Sequence, residues 1–79
     1  MKRIVFTKHA EEMLSVRKIN KALVASCLTQ PTRVTDVRES KYAYLKDFGA
    51  NNLKVIVSDE KDAFVVITLY WVAKHQVKQ

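Results

Sequence analysis

Pro31 is the only proline in the chain, and the sequence changes character across it. Before it, apolar residues recur with helical spacing. After it, Thr, Val, Tyr and Phe become frequent and the period falls to two. A pyrrolidine ring cannot continue a helix, and it pushes the preceding Gln30 toward extended backbone. A chain of 79 residues is one domain. Its class is α+β, with two short N-terminal helices packed on an antiparallel sheet and a core over about residues 3–74.

Residues 3–6, Arg-Ile-Val-Phe, read as a short strand. Thr7 then offers a side-chain oxygen ahead of Lys8-His9-Ala10-Glu11-Glu12, which places a cap and two acids at the positive end of a helix dipole. Ala10, Met13 and Leu14 keep helical spacing, so the first helix spans roughly 8–17. Asn20 caps a second helix, whose stripe is Leu23, Val24, Cys27 and Leu28 and which Pro31 stops. Residues 33–38 form a strand and Glu39-Ser40 its turn. In residues 41–48, Tyr42, Tyr44 and Lys46 share one face, and Ala43 and Leu45 the other. Residues 49–52 turn the chain. Leu53, Val55 and Val57 alternate with Lys54, Ile56 and Ser58, and residues 59–62 make a charged hairpin loop. The stretch from Ala63 to Val72, rich in Val, Ile, Phe and aromatics, suits a central strand buried on both faces. The expected order is βααββββ, closed as an antiparallel meander.

Cys27 is the only cysteine, so no intramolecular disulfide staples this small core, and a reducing cytoplasm is the expected compartment. The opening has a three-residue apolar run, too short for a signal peptide. The longest apolar run, residues 63–69, falls far below the roughly 20 residues of a membrane helix. Two His and one Cys show no metal spacing, and with one Gly there is no phosphate-cradling loop, so no cofactor or metal is expected. The net charge of +6 draws polyanions, nucleic acid or an acidic protein.

His9-Ala10, Arg17, Ile19, Val24 and Pro31 together resemble the opening of a family of short bacterial proteins grouped with the RelE/BrnT-like toxin superfamily. Tyr42 or Tyr44, the run Leu53–Val57 and the run Val65–Tyr70 resemble that family's closing hairpin. The resemblance covers about residues 4–74. Met13 stands where many relatives carry Arg, and Lys18 where many carry Gly. The resemblance implies a RelE-like fold, and for the superfamily a metal-independent endoribonuclease neutralised by an antitoxin that covers its basic surface.

Such cleavage needs a base for the 2′-OH, a cation for the phosphorane oxygens and an acid for the leaving 5′ oxygen. His9 suits acid or base, its ordinary pKa being near 6.5. It also suits a hydrogen bond from the first helical turn to a neighbouring strand. Arg17 suits phosphate, or the negative end of the first helix. The expected catalytic set is His9, Arg17 and Tyr70. Lys8, Lys46, Lys54 and Lys74 are expected phosphate ligands, and Tyr42, Tyr44 and Tyr70 stacking platforms or cross-strand packing. Lys74 and His75 also read as part of a frayed basic tail, and Cys27 as a small buried hydrophobe. The expected function is that of a toxin with RNA, ribosome and antitoxin as partners, without membrane association, as monomer or homodimer. The alternatives are a non-catalytic module that binds a protein partner, and charge-driven binding of double-stranded nucleic acid.

Overall fold

The computed structural model describes residues 2–73. The order along the chain is β1 (Arg3–Phe6), α1 (Lys8–Val16), α2 (Lys21–Thr29), β2 (Arg33–Arg38), β3 (Lys41–Asp47), β4 (Asn51–Asp59) and β5 (Ala63–Ala73). The five strands form one sheet in the order β1-β5-β4-β3-β2.

The helix starts follow the capping chemistry of the sequence. Thr7 is extended, and its Oγ1 accepts from the Ala10 amide at 3.1 Å; Asn20 Oδ1 accepts from the Leu23 amide at 2.9 Å. The first helix ends in a Schellman motif. The Ile19 amide donates to the Leu14 carbonyl at 2.9 Å and the Lys18 amide to that of Ser15 at 3.3 Å. That closure requires a left-handed residue between Arg17 and Ile19, and Lys18 takes it at φ 55°. Glycine would enter this conformation without steric cost. Ile19 and Leu14 are both core residues, which supplies the apolar contact that accompanies the motif.

Two expectations are corrected. The sheet is mixed, because β1 pairs with β5 in parallel, Arg3 opposite Ala63 through Phe6 opposite Val66. A parallel partner needs a crossover, and the whole chain from α1 to β4 supplies it. Second, β5 is an interior strand, between β1 and β4, but it is not fully buried on both faces. The middle strand is β4, and β5 buries Ala63, Val66 and Leu69 while its other residues remain half-buried. Both helices lie on one side of the sheet, so its other side has no cover among the described residues.

The core sits between the helices and that one face. Leu53, Val55 and Val57 of β4 and Val66 and Leu69 of β5 meet Ala10, Leu14, Val24, Cys27 and Leu28 from the helices. The Cys27 thiol is fully buried; it donates to the carbonyls of Tyr44 at 3.4 Å and Leu53 at 3.6 Å. Burial pushes this thiol up from 9.0 to about 12, against the opposing pull of the Lys46 charge.

β5 carries one extra residue against β4. Val57 pairs with Val66 and Ile56 with Thr68, which leaves Ile67 unpaired as a bulge. Thr7 grips this point. Its amide donates to the Val66 carbonyl at 3.1 Å and its Oγ1 to the Ile67 carbonyl at 3.2 Å. Among the described residues no helix is long and apolar enough to cross a membrane.

Two outcomes are expected. Lys18→Gly removes the left-handed strain and raises stability by about 0.5–1 kcal/mol in urea unfolding, since the αL penalty of roughly 1–2 kcal/mol is partly offset by a freer unfolded chain. For Cys27 the unfolded chain loses its proton near pH 9 whereas the folded one keeps it to about 12. Stability therefore falls as pH rises through that window. Cys27→Ala lacks this part of the pH dependence, and maleimide labels the wild-type thiol only on unfolding.

Candidate functional site

Strand register sorts the side chains onto two faces. On the helix-covered face, Tyr42 pairs with Val57, Tyr44 with Val55 and Lys46 with Leu53. On the uncovered face, three transverse rows can be followed from β2 toward β5. Arg33 stands opposite Leu45, Leu45 opposite Lys54, and Lys54 opposite Tyr70. Thr35, Ala43, Ile56 and Thr68 form the next row. Arg38, Lys41, Ser58 and Val65 form the third, with Val5 beside Val65.

His9 joins this uncovered face from the side. β1 ends at Phe6, Thr7 turns the chain into α1, and His9 is the second residue of the helix. Its Nε2 lies 3.2 Å from Thr68 Oγ1. Thr68 and Tyr70 are two apart on β5 and point the same way. Lys54 Nζ lies 5.9 Å from the centre of the Tyr70 ring. The fold thus brings His9, Thr68, Tyr70 and Lys54 into one patch: an imidazole, a hydroxyl, an aromatic ring and a cation. This set can hold a phosphate, stack a base and exchange a proton. Among the described residues no group of three His, Cys, Asp or Glu side chains is placed to hold a metal ion.

The other expected site residues lie elsewhere. Arg17 caps the far end of α1, about 12 Å along the axis from His9 at 1.5 Å per residue. Lys8, the first residue of α1, is exposed. Lys46 Nζ donates to the Gln30 carbonyl at 2.9 Å, which places its charge at the negative end of α2. It also lies 5.8 Å from the Phe48 ring centre. Tyr42 and Tyr44 pack against the core, and Tyr44 meets Phe64 edge-on with ring centres 5.6 Å apart. Burial, and secondarily Tyr42 beside it, raises the Tyr44 phenol. Lys74 and His75 lie outside the described residues.

Thr68 and Arg33 were not among the expected site residues. Alternation along β5 would place Thr68 on the face of Val66, and only the Ile67 bulge moves it to the other one. Arg33 was legible as a strand residue, but its position in the Lys54 row depends on pairing across three strands.

Residues 6–71 match the family described as Domain of unknown function (DUF4258), and the chain belongs to that family. No curated protein and no solved structure matches it.

The His9–Thr68 contact has a direct readout. In Thr68→Val the ring loses its partner, and the imidazole nitrogen shifts of His9 move toward those of a free tautomer mixture in NMR. Thr68→Ser retains the wild-type shifts. Identical spectra in all three proteins would show that the contact does not form in solution.

Proposed function

We propose that this chain is a toxin-like protein of RelE-like fold that binds RNA on the uncovered sheet face and cleaves it without a metal. The observation that carries the reading is the convergence of His9, Tyr70 and Lys54, drawn from α1, β5 and β4. The resemblance of His9-Ala10, Arg17, Ile19 and Pro31 to the toxin superfamily supports it independently.

In this reading Lys54 holds a phosphate and stabilises the charge that builds on its oxygens. The Tyr70 ring stacks on a neighbouring base. His9 moves a proton at the 2′-OH or at the leaving oxygen, with Thr68 restraining one ring nitrogen. Arg17 stands outside this group and meets RNA only if the strand continues along α1. An antitoxin with an acidic segment would silence the protein by covering the same face.

A second reading, a non-catalytic module for a protein partner, draws on Val34 and Val37 of β2, which are 46% and 49% exposed. Edge-strand valines suit protein contact better than RNA contact.

Inducible expression in a bacterial host separates the two. The catalytic reading expects growth arrest with RNA breakage. His9→Ala should lower cleavage by about 10²–10⁴-fold, the usual contribution of a proton-transfer group. Lys54→Ala and Tyr70→Ala should weaken RNA binding by roughly 1–3 kcal/mol each if they act as phosphate ligand and stacking platform. All three variants should retain the wild-type circular dichroism spectrum. Full activity in the folded His9→Ala protein would remove the catalytic assignment.

A further inference from the structure

The uncovered face has a charge pattern that the His9 patch alone does not use. By register its cations are Arg3, Arg33, Arg38, Lys41 and Lys54; its carboxylates are Asp47 by register and Glu60, whose Oε2 accepts from the Ser58 hydroxyl at 2.5 Å. Asp36 and Asp59 fall on the helix-covered face, opposite Tyr42 and Phe64. Glu39 and Asp62 lie in the hairpin turns.

The cations are also ordered. Arg33 and Lys54 belong to one transverse row, and Arg38 and Lys41 to another. Between them runs the row Thr35, Ala43, Ile56 and Thr68, whose side chains are shorter than the flanking Arg and Lys. Ala43 is only 5% exposed, so this strip lies low. It begins at β2 and ends at Thr68, where His9 stands. Strands lie about 4.8 Å apart, so the strip spans roughly 14 Å from β2 to β5.

We propose that single-stranded RNA lies along this strip, across the strands, with its reacting end at His9 and Tyr70 and its far phosphates held by Arg33 and Arg38. The proposal rests on the RNA-binding reading above and extends it by a path and two phosphate ligands on β2. Charge complementarity selects the occupant, since a polyanion meets cations on both sides of the strip. A flat sheet face with an aromatic ring suits unpaired bases, two or three of which such faces commonly stack. A duplex keeps its bases paired and offers none to Tyr70.

The path is tested by fluorescence anisotropy on labelled single-stranded oligouridylates, titrated over a range of salt concentrations. Each phosphate contact on a single strand contributes about 0.7 to the slope of log affinity against log salt. Arg33→Gln and Arg38→Gln are each expected to lower the slope by about that amount, and the double variant by about twice as much. Arg33→Lys should keep the wild-type slope, because the charge stays. Lys61→Gln, in the β4–β5 loop, should leave it unchanged. Circular dichroism confirms that each variant is folded.

Unchanged slopes in the arginine variants, with a reduced slope in Lys54→Gln, would overturn the path while leaving the His9 site intact. An equal loss in Lys61→Gln would overturn it in favour of diffuse charge attraction. Absence of RNA binding in the wild-type protein would end both the path and the reading beneath it, and would leave the face to an acidic protein partner.

Discussion

The junction at Thr7 holds the architecture together. One residue ends β1, caps α1 and fastens the bulge of β5. Its amide and hydroxyl donate to consecutive carbonyls, Val66 and Ile67, while the same hydroxyl accepts from Ala10. These bonds join the N-terminal strand and the last strand in parallel, which local turns cannot do. They also fix where α1 leaves the sheet. Because α1 starts there, Ala10 and Leu14 reach the core and His9 reaches Thr68. Core and candidate site therefore share one set of hydrogen bonds, made by the Thr7 amide and hydroxyl.

The sheet that results has two unlike faces. Small domains have thin cores, and this one concentrates its burial on a single side. Leu53, Val55, Val57, Val66 and Leu69 are 0% exposed, and all lie beneath the helices. The tyrosines divide accordingly. Tyr42 and Tyr44 extend the packed side toward Phe64, so their rings work as apolar cover. Tyr70 is on the other side with Lys54. The lysines divide as well: Lys46 closes α2 on the packed side, whereas Lys54 stands on the face that nothing described covers.

Local chemistry was the legible part of the sequence. Thr7 and Asn20 announce their helices because short polar side chains satisfy free amides. Pro31 announces the change of period, and the strand 33–38 falls where alternation puts it. The alternation also separates Lys54, Ile56 and Ser58 from the core row of β4. What was not legible depends on pairing between distant segments. Nothing in Arg3–Phe6 states whether its partner runs parallel or antiparallel. Nothing in residues 63–73 marks Ile67 as the extra residue, since the whole run is β-favouring. The site inherits that limit. His9, Lys54 and Tyr70 could be named singly as residue types suited to RNA chemistry. Their meeting point follows from the bulge and the crossover, and these also exclude Arg17, Lys46, Tyr42 and Tyr44 from the patch.

The bulge deserves weight because of what its absence would do. Without the extra residue, strict alternation would leave Thr68 and Tyr70 on the face of Val66, beneath the helices. A threonine and a tyrosine would then enter the core, and Leu69 would turn to solvent. The insertion resolves two demands in one strand. Residues 63–66 must be in step with β1, and residues 68–73 must present Leu69 to the core beside Val55. A half-period slip at Ile67 meets both. Its by-product is that Thr68 and Tyr70 emerge next to Lys54, at the point where the Thr7 junction delivers His9. In this fold the candidate site is thus a consequence of how the core keeps its register.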